Sequence, residues 1–119
     1  MLWLRRHRPD VFAATHRVLQ AKDFIVARLT GRFVTDLSDA CGTLLYDLER
    51  RDWSAQILDA IELDRALLPE LHASTDVVGE VHALAAAETG LAAGTPVVIG
   101  GGDGVCAATG AGVVREGGA

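Results

Sequence analysis

Thr95-Pro96-Val97-Val98-Ile99-Gly100-Gly101-Gly102-Asp103-Gly104 is the stretch that decides the fold class. Pro96 to Gly100 reads as a short buried strand: it is β-branched, apolar and closed by glycine. The glycines that follow make a turn, and the small residues from Val105 to Gly110 make a helix. A strand that stops in glycines presents the next residue at the open end of a sheet, where α/β proteins bind ligands. That residue is Asp103. Two roles are open to it. It can cap the helix that follows, since aspartate is a preferred N-cap, or it can be a working carboxylate in a site.

Moving outward, the first half of the chain is helix-rich. Leu2 to Arg8 reads as the tail of a helix stopped at Pro9. Pro9-Asp10 opens a second helix with Val11, Phe12, Ala14, Val18 and Leu19 as its apolar stripe. A third runs from Lys22 to Thr30 with Gly31 as its C-terminal cap. Phe33 to Thr43 has no clean period and reads as a loop held by side-chain to backbone bonds. Thr43 to Asp47 is a short strand. A helix then starts at Asp52-Trp53-Ser54, capped by Ser54 or Asp52, and runs to Ile61. Asp64 to Leu71 is a short helix or turn broken by Pro69, Val77 to Val81 is a strand, and His82 to Thr89 is an Ala-rich helix closed by Gly90. The expected class is α/β, with one strand–glycine turn–helix unit near the C-terminus.

Composition narrows the function. The chain has 119 residues, 50% of them hydrophobic and 23% charged, so it can form a packed core. A formal net charge of −5 argues against nucleic-acid binding, which needs a basic face. The eight basic residues Arg5, Arg6, Arg8, Arg17, Lys22, Arg28, Arg32 and Arg50 all lie in the first 50 positions. Solvated helix faces account for them better than a phosphate-binding surface does. Cys41 and Cys106 match no zinc or C-x-x-C spacing and read as reduced, small packing residues, which suits the cytoplasm. No apolar run approaches the roughly 18 residues of a membrane span, and the opening Met1-Leu2-Trp3-Leu4-Arg5-Arg6 lacks the order of a secretory signal. His7, His16, His72 and His82 have no metal-ligand spacing and are expected in surface or capping roles. Trp3 and Trp53 are expected in the core or a subunit contact.

A second constellation is Asp36, Ser38 and Asp39, with Thr43 beside it. Two carboxylates at this spacing make an incomplete Mg²⁺ site at best. They can also line a substrate pocket, or hold their own loop through Asx-type bonds, which is the preferred reading.

Taken together, these segments resemble the sugar kinases of the FGGY family, and within it the xylulose kinases. Leu29-Thr30-Gly31-Arg32-Phe33-Val34-Thr35-Asp36 is similar to the family's LTG-x-x-x-TD, and Ser38 to Asp47 to its SDASGTLLxD. Val78-Gly79-Glu80-Val81, Ala86 to Leu91 and Gly94-Thr95-Pro96-Val97 follow in the family's order. Gly101-Gly102-Asp103 then leads into Ala107-Ala108-Thr109-Gly110-Ala111-Gly112. The likeness runs over nearly the whole chain; each piece is weak alone and the set is specific.

The resemblance implies an actin-like, ribonuclease-H-like ATPase architecture with the site in a cleft between two domains. It implies a soluble cytoplasmic enzyme using ATP and Mg²⁺, with no nucleic acid or membrane partner; a homodimer is open. It makes Asp103 the catalytic base that takes the proton from the sugar hydroxyl, with Gly101, Gly102 and Gly104 shaping the turn around the sugar. D-xylulose going to its 5-phosphate is the expected reaction, with ribulose, gluconate or glycerol as alternative acceptors. Two departures stand out. The family usually has Asn or Gln after this aspartate, where it helps hold the sugar, and here the residue is Gly104. Cys41 stands where Ser is usual. The family's phosphate-binding segment, early sugar-binding segment and nucleotide-binding second domain have no counterpart in these residues. Residues 1–119 are therefore expected to form part of the N-terminal sugar-binding domain and to be inactive alone.

Two rivals are weighed against this reading. Gly102-Asp103-Gly104-Val105-Cys106-Ala107 fits the dinucleotide fingerprint G-x-G-x-x-A, although a carboxylate inside the turn would repel a pyrophosphate. The other rival is a non-catalytic interaction module.

Overall fold

A computed structural model describes residues 1–115; the last four positions of the domain assigned to 1–119 lie outside the described residues. Two short helices, α1 (Leu2–His7) and α2 (Pro9–Ala13), meet at Pro9, which sits at the first position of α2 where its missing N–H costs nothing. α2 ends well before Val18. That residue and Leu19 lie outside any helix or strand, and the Val18 amide donates to the Leu67 carbonyl at 2.8 Å. The apolar side chains that suggested a helical stripe instead dock a strap.

α3 (Ala21–Thr30) has a capping box between Gln20 and Asp23 and ends at Gly31, whose φ of 76° is the left-handed value glycine adopts without strain. β1 (Val34–Asp36) follows and runs straight into α4 (Leu37–Gly42). The expectation of a loop over Phe33 to Thr43 is thus corrected. Val34, Thr35 and Asp36 are all buried, so the strand lacks the polar–apolar alternation that reveals a half-exposed one. The N-cap Asp36 starts α4 at once, accepting the amides of Ser38 and Asp39.

β2 (Tyr46–Asp47) and β3 (Asp52–Trp53) form an antiparallel hairpin with Tyr46 opposite Trp53. Asp52 and Trp53 therefore precede the helix rather than begin it, and Ser54 caps α5 (Ala55–Ala60). A single 3₁₀ turn (Arg65–Leu67) leads past Pro69 to β4 (Glu70–His72), which pairs in parallel with β1, Val34 opposite Glu70 and Asp36 opposite His72. β5 (Val77–Glu80) pairs antiparallel with β6 (Pro96–Val98), and α6 (Ala83–Thr89) lies between them in sequence, from its N-cap His82 to Gly90. α7 (Asp103–Gly110) closes the order.

Two apolar clusters hold these pieces. Ala40, Leu45, Trp53, Leu58, Leu63 and Leu68 pack around the hairpin and α5, and the Trp53 indole N–H donates to the Pro69 carbonyl at 2.9 Å. Val26, Val34, Val78 and Ile99 join α3, β1 and the β5–β6 pair. The second contact is tight at Gly79, where a Cβ would lie 3.0 Å from the Thr30 Cβ and Thr30 would have to yield by a few tenths of an ångström. Arg32 ties the two sheets by donating to the Val78 carbonyl and pairing with Glu70, each at 3.0 Å.

Three further expectations are corrected. β6 is not fully buried: Val98 is 49% exposed, because among the described residues β6 pairs only with β5, and the residue that enters the core is Ile99. Cys41 and Cys106 are exposed thiols rather than packing residues. Trp3 is 65% exposed on α1, so of its two expected places, core or subunit contact, the core is ruled out, whereas Trp53 is core. Several of the basic side chains pair with local acids, Arg8 with Asp10 and Arg28 with Glu88, in keeping with solvated faces. Among the described residues no helix is long and apolar enough to cross a membrane.

Candidate active site

The chain between Ile99 and Asp103 is held amide by amide. Ile99 donates to the Asp76 carbonyl at 3.1 Å and Gly100 to the Ser74 carbonyl at 3.1 Å. Gly102 donates to the Ser38 hydroxyl oxygen at 2.8 Å. Gly100 has φ 72°, the left-handed geometry that turns the chain away from β6. Gly102 lies so close to α4 that a Cβ on it would sit 2.8 Å from Asp39 Oδ1. Gly100 is therefore needed for its backbone geometry and a side chain at Gly102 would have to displace Asp39, while a Cβ at Gly101 would make only ordinary contacts.

Asp103 follows as the first residue of α7, with Gly102 as the N-cap. The capping role for Asp103 is corrected: its Oδ1 accepts the neighbouring Gly104 amide at 2.7 Å and caps no later turn. Asp103 and Gly104 are exposed, so the carboxylate stands at the open end of the β5–β6 pair at the start of a helix, whose dipole favours a negative charge.

Beneath the turn lies a buried charged network that the sequence did not reveal. Lys22 on α3 sends its ammonium to Asp23 Oδ1 at 2.8 Å, Asp36 Oδ1 at 3.0 Å and Asp39 Oδ2 at 3.3 Å. Asp36 is fully buried, and its Oδ2 accepts the Ser38 hydroxyl, the Ser38 amide at 2.9 Å and the Ser74 hydroxyl at 2.8 Å. Burial by itself would raise the Asp36 carboxyl, but the bonds from Ser38, Ser74 and Lys22 outweigh it and hold the group at about 2. Burial also works against the Lys22 charge; Asp23 and Asp36 overcome it and raise the ammonium above its ordinary value. The signal missed was Lys22 itself, which as the second residue of a helix looks like any solvated lysine.

The structure thus brings Asp36, Ser38, Asp39 and Gly102 together, one residue before Asp103. Thr43 lies elsewhere, at the end of α4, where its hydroxyl donates to the Ala40 carbonyl at 2.6 Å and accepts the Leu45 amide at 3.1 Å. It lines an apolar pocket of about 220 Å³ beside Trp53, Asp23 and Thr35, which does not reach Asp103. The Thr35 hydroxyl is buried there without a hydrogen-bond partner. Leaving a hydroxyl unpaired costs about 1–3 kcal/mol. Thr35→Val is therefore expected to leave unfolding free energy unchanged or raise it by up to about 1 kcal/mol. A loss of that size in denaturant unfolding would show that the hydroxyl is bonded after all.

His7 and His16 are exposed and His82 is a cap, as expected, whereas His72 is half-buried in β4 and is neither. His82 Nδ1 accepts the Ala85 amide at 3.1 Å as the α6 cap, and His72 sits 3.4 Å from both Glu70 and Asp76.

The sequence profile of the N-terminal domain of the FGGY family of carbohydrate kinases matches residues 1–110. This chain belongs to that family. It is 40% identical over 114 residues to the xylulose kinase of Escherichia coli (strain K12), covering 96% of this chain and 23% of that protein. It is 39% identical over 117 residues to the autoinducer-2 kinase of Klebsiella pneumoniae subsp. pneumoniae, covering 98% of this chain and 22% of that protein. Among solved structures, the xylulose kinase from Rhodospirillum rubrum superposes with a TM-score of 0.90 at 36% identity, covering 98% of this chain and 24% of that one. The FGGY kinase fold is thus the fold of this chain, as its sequence led us to expect. The chain spans about a quarter of the length of the FGGY relatives it matches.

Proposed function

We propose that this chain forms part of the N-terminal, sugar-binding domain of an ATP-dependent carbohydrate kinase, with Asp103 as the general base. The observation that carries this reading is the exposed carboxylate of Asp103 on a glycine turn at the start of α7, in a chain of this family. Phosphoryl transfer asks the protein mainly for positioning and charge stabilisation, together with an acceptor for the nucleophile's proton. The sugar hydroxyl oxygen forms its bond to the γ-phosphorus, the bond from that phosphorus to the ADP oxygen breaks, and the hydroxyl proton passes to Asp103. Gly102 and Gly104 put no side chain beside the carboxylate, so the acceptor can approach the backbone.

Mg²⁺ belongs to this reading as the partner of the ATP phosphates. The convergent carboxylates of this chain hold the Lys22 ammonium instead, and among the described residues no group of three or more His, Cys, Asp or Glu could hold a metal ion. Mg²⁺ commonly binds through substrate phosphates with only one or two carboxylates, which fits a nucleotide site on other parts of the enzyme. Turnover is accordingly assigned to a kinase of the relatives' full length, located in the cytoplasm, and not to these residues by themselves.

D-xylulose, giving D-xylulose 5-phosphate, is the acceptor we favour, since a xylulose kinase is 40% identical to this chain over nearly its whole length. The test is ADP release by the complete kinase against a panel of xylulose, ribulose, gluconate and glycerol. Release with xylulose supports the assignment, release with another acceptor keeps the family and replaces the substrate, and no release with any favours a non-catalytic role. Gly104 sets a second expectation. A Cβ there meets nothing within 4 Å, so a larger side chain has room. Gly104→Asn adds a hydrogen-bonding amide where the family usually has one, and is expected to lower the sugar KM by about 3–10-fold, the worth of one hydrogen bond. An unchanged KM would place the sugar away from position 104.

A further inference from the structure

We propose that Ser38 is a positioning residue for Asp103, acting through the single hydrogen bond from the Gly102 amide to its hydroxyl oxygen; this rests on the reading of Asp103 as the base. The Ser38 hydroxyl has one proton, and it is committed to Asp36 Oδ2. Its oxygen then faces the Gly102 N–H at 2.8 Å, across a sequence separation of 64 residues. The orientation is fixed from below. Asp36 is fully buried and is held by Lys22 at 3.0 Å and by the Ser74 hydroxyl at 2.8 Å, so it has no freedom to release Ser38.

The other ties of this turn run from Ile99 to Asp76 and from Gly100 to Ser74, backbone to backbone, and from the Cys106 thiol, itself on α7, to the Gly101 carbonyl at 3.4 Å. The two backbone ties fix the chain up to Gly100. Ser38 holds the next stretch, one residue short of the carboxylate. Without its acceptor, the Gly102 amide faces a gap beside Asp39, and the start of α7 is free to shift by the fraction of an ångström that general-base geometry does not tolerate. The charges packed around Ser38 are Lys22, Asp36 and Asp39, and the first two are tied to one another. The Ser38 role is therefore geometric.

The experiment compares Ser38→Ala, Ser38→Thr and Asp103→Asn in the complete kinase that carries this segment, recording kcat, both KM values and the thermal midpoint. Ser38→Ala is expected to lower kcat by about 10–100-fold, the effect of a misplaced catalytic group, while the ATP KM stays within about 3-fold. Ser38→Thr keeps the hydroxyl and is expected to recover kcat to within about 3-fold of the parent. The inference is overturned if Ser38→Ala turns over normally. It is also overturned if the alanine and threonine variants are equally impaired, or if the loss disappears once rates are corrected for the folded fraction. An inactive Asp103→Asn beside a fully active Ser38→Ala sinks this inference alone; a fully active Asp103→Asn sinks the base assignment and takes this inference with it.

Discussion

Asp103→Asn is expected to reduce sugar-dependent ADP release by about 10³-fold, the middle of the range that general-base catalysis contributes. The substitution is chosen for what it keeps. Asparagine has the same shape, and its amide oxygen can still accept the Gly104 N–H that Asp103 Oδ1 accepts at 2.7 Å. Gly102, not Asp103, is the cap of α7, so the start of the helix does not depend on the charge. The side chain is exposed, so no buried contact is lost and the thermal midpoint is expected to stay within about 2 °C of the parent. What disappears is the proton acceptor. A fall in kcat with little change in either KM is the signature of an interaction made only in the transition state. Retained activity would move the base to another residue and leave Asp103 as a surface carboxylate at a helix start.

How far the sequence carried this reading can be judged residue by residue. The Gly100–Gly102 turn and α7 were legible because glycines after a β-branched run leave few alternatives. The ends of α3 and α6 were legible for the same local reason, since Gly31 and Gly90 both take the left-handed cap conformation. β1 was not legible. Its three residues are buried on both faces, so there is no alternation to find, and its parallel partner β4 lies beyond the hairpin and α5. The non-helical path at Val18 was also hidden, because Val11 and Val18, seven apart, fit a helical stripe although only Val11 lies in α2. The family likeness supplied Asp103 as a candidate base. The network beneath it could be read only in part: Asp36 and Ser38 stand together in sequence, but Lys22, Ser74 and Gly102 come from three other segments, and no local pattern links a lysine to a carboxylate in the next strand.

That network makes Lys22→Met the substitution with the largest expected effect on stability. Lys22 is the shared cation of three carboxylates, and those of Asp23 and Asp36 have no solvent exposure. Methionine fills similar space without charge, leaving the buried carboxylates close together and unneutralised. Removing one partner of a buried ion pair costs about 3–5 kcal/mol, and that is the loss expected in denaturant unfolding near neutral pH. The sign of the pH dependence follows from Asp36. Its folded-state value of about 2 lies below the ordinary 3.8, so its ionised form contributes stability that is fully present above about pH 4. That contribution is lost as the pH falls through the folded-state value. In Lys22→Met the lost cation raises the Asp36 carboxyl, and its protonation relieves the variant at a higher pH than the parent loses its own stabilisation. The gap between parent and variant should therefore narrow steadily as the pH is lowered from 7 towards 4. A gap that is constant over this range, or one below about 1 kcal/mol at neutral pH, would mean that water rather than Lys22 solvates Asp23 and Asp36. Because Asp36 also orients Ser38, the same variant should lose turnover beyond its loss of folded protein, which joins the stability of this corner of the fold to the placement of Asp103.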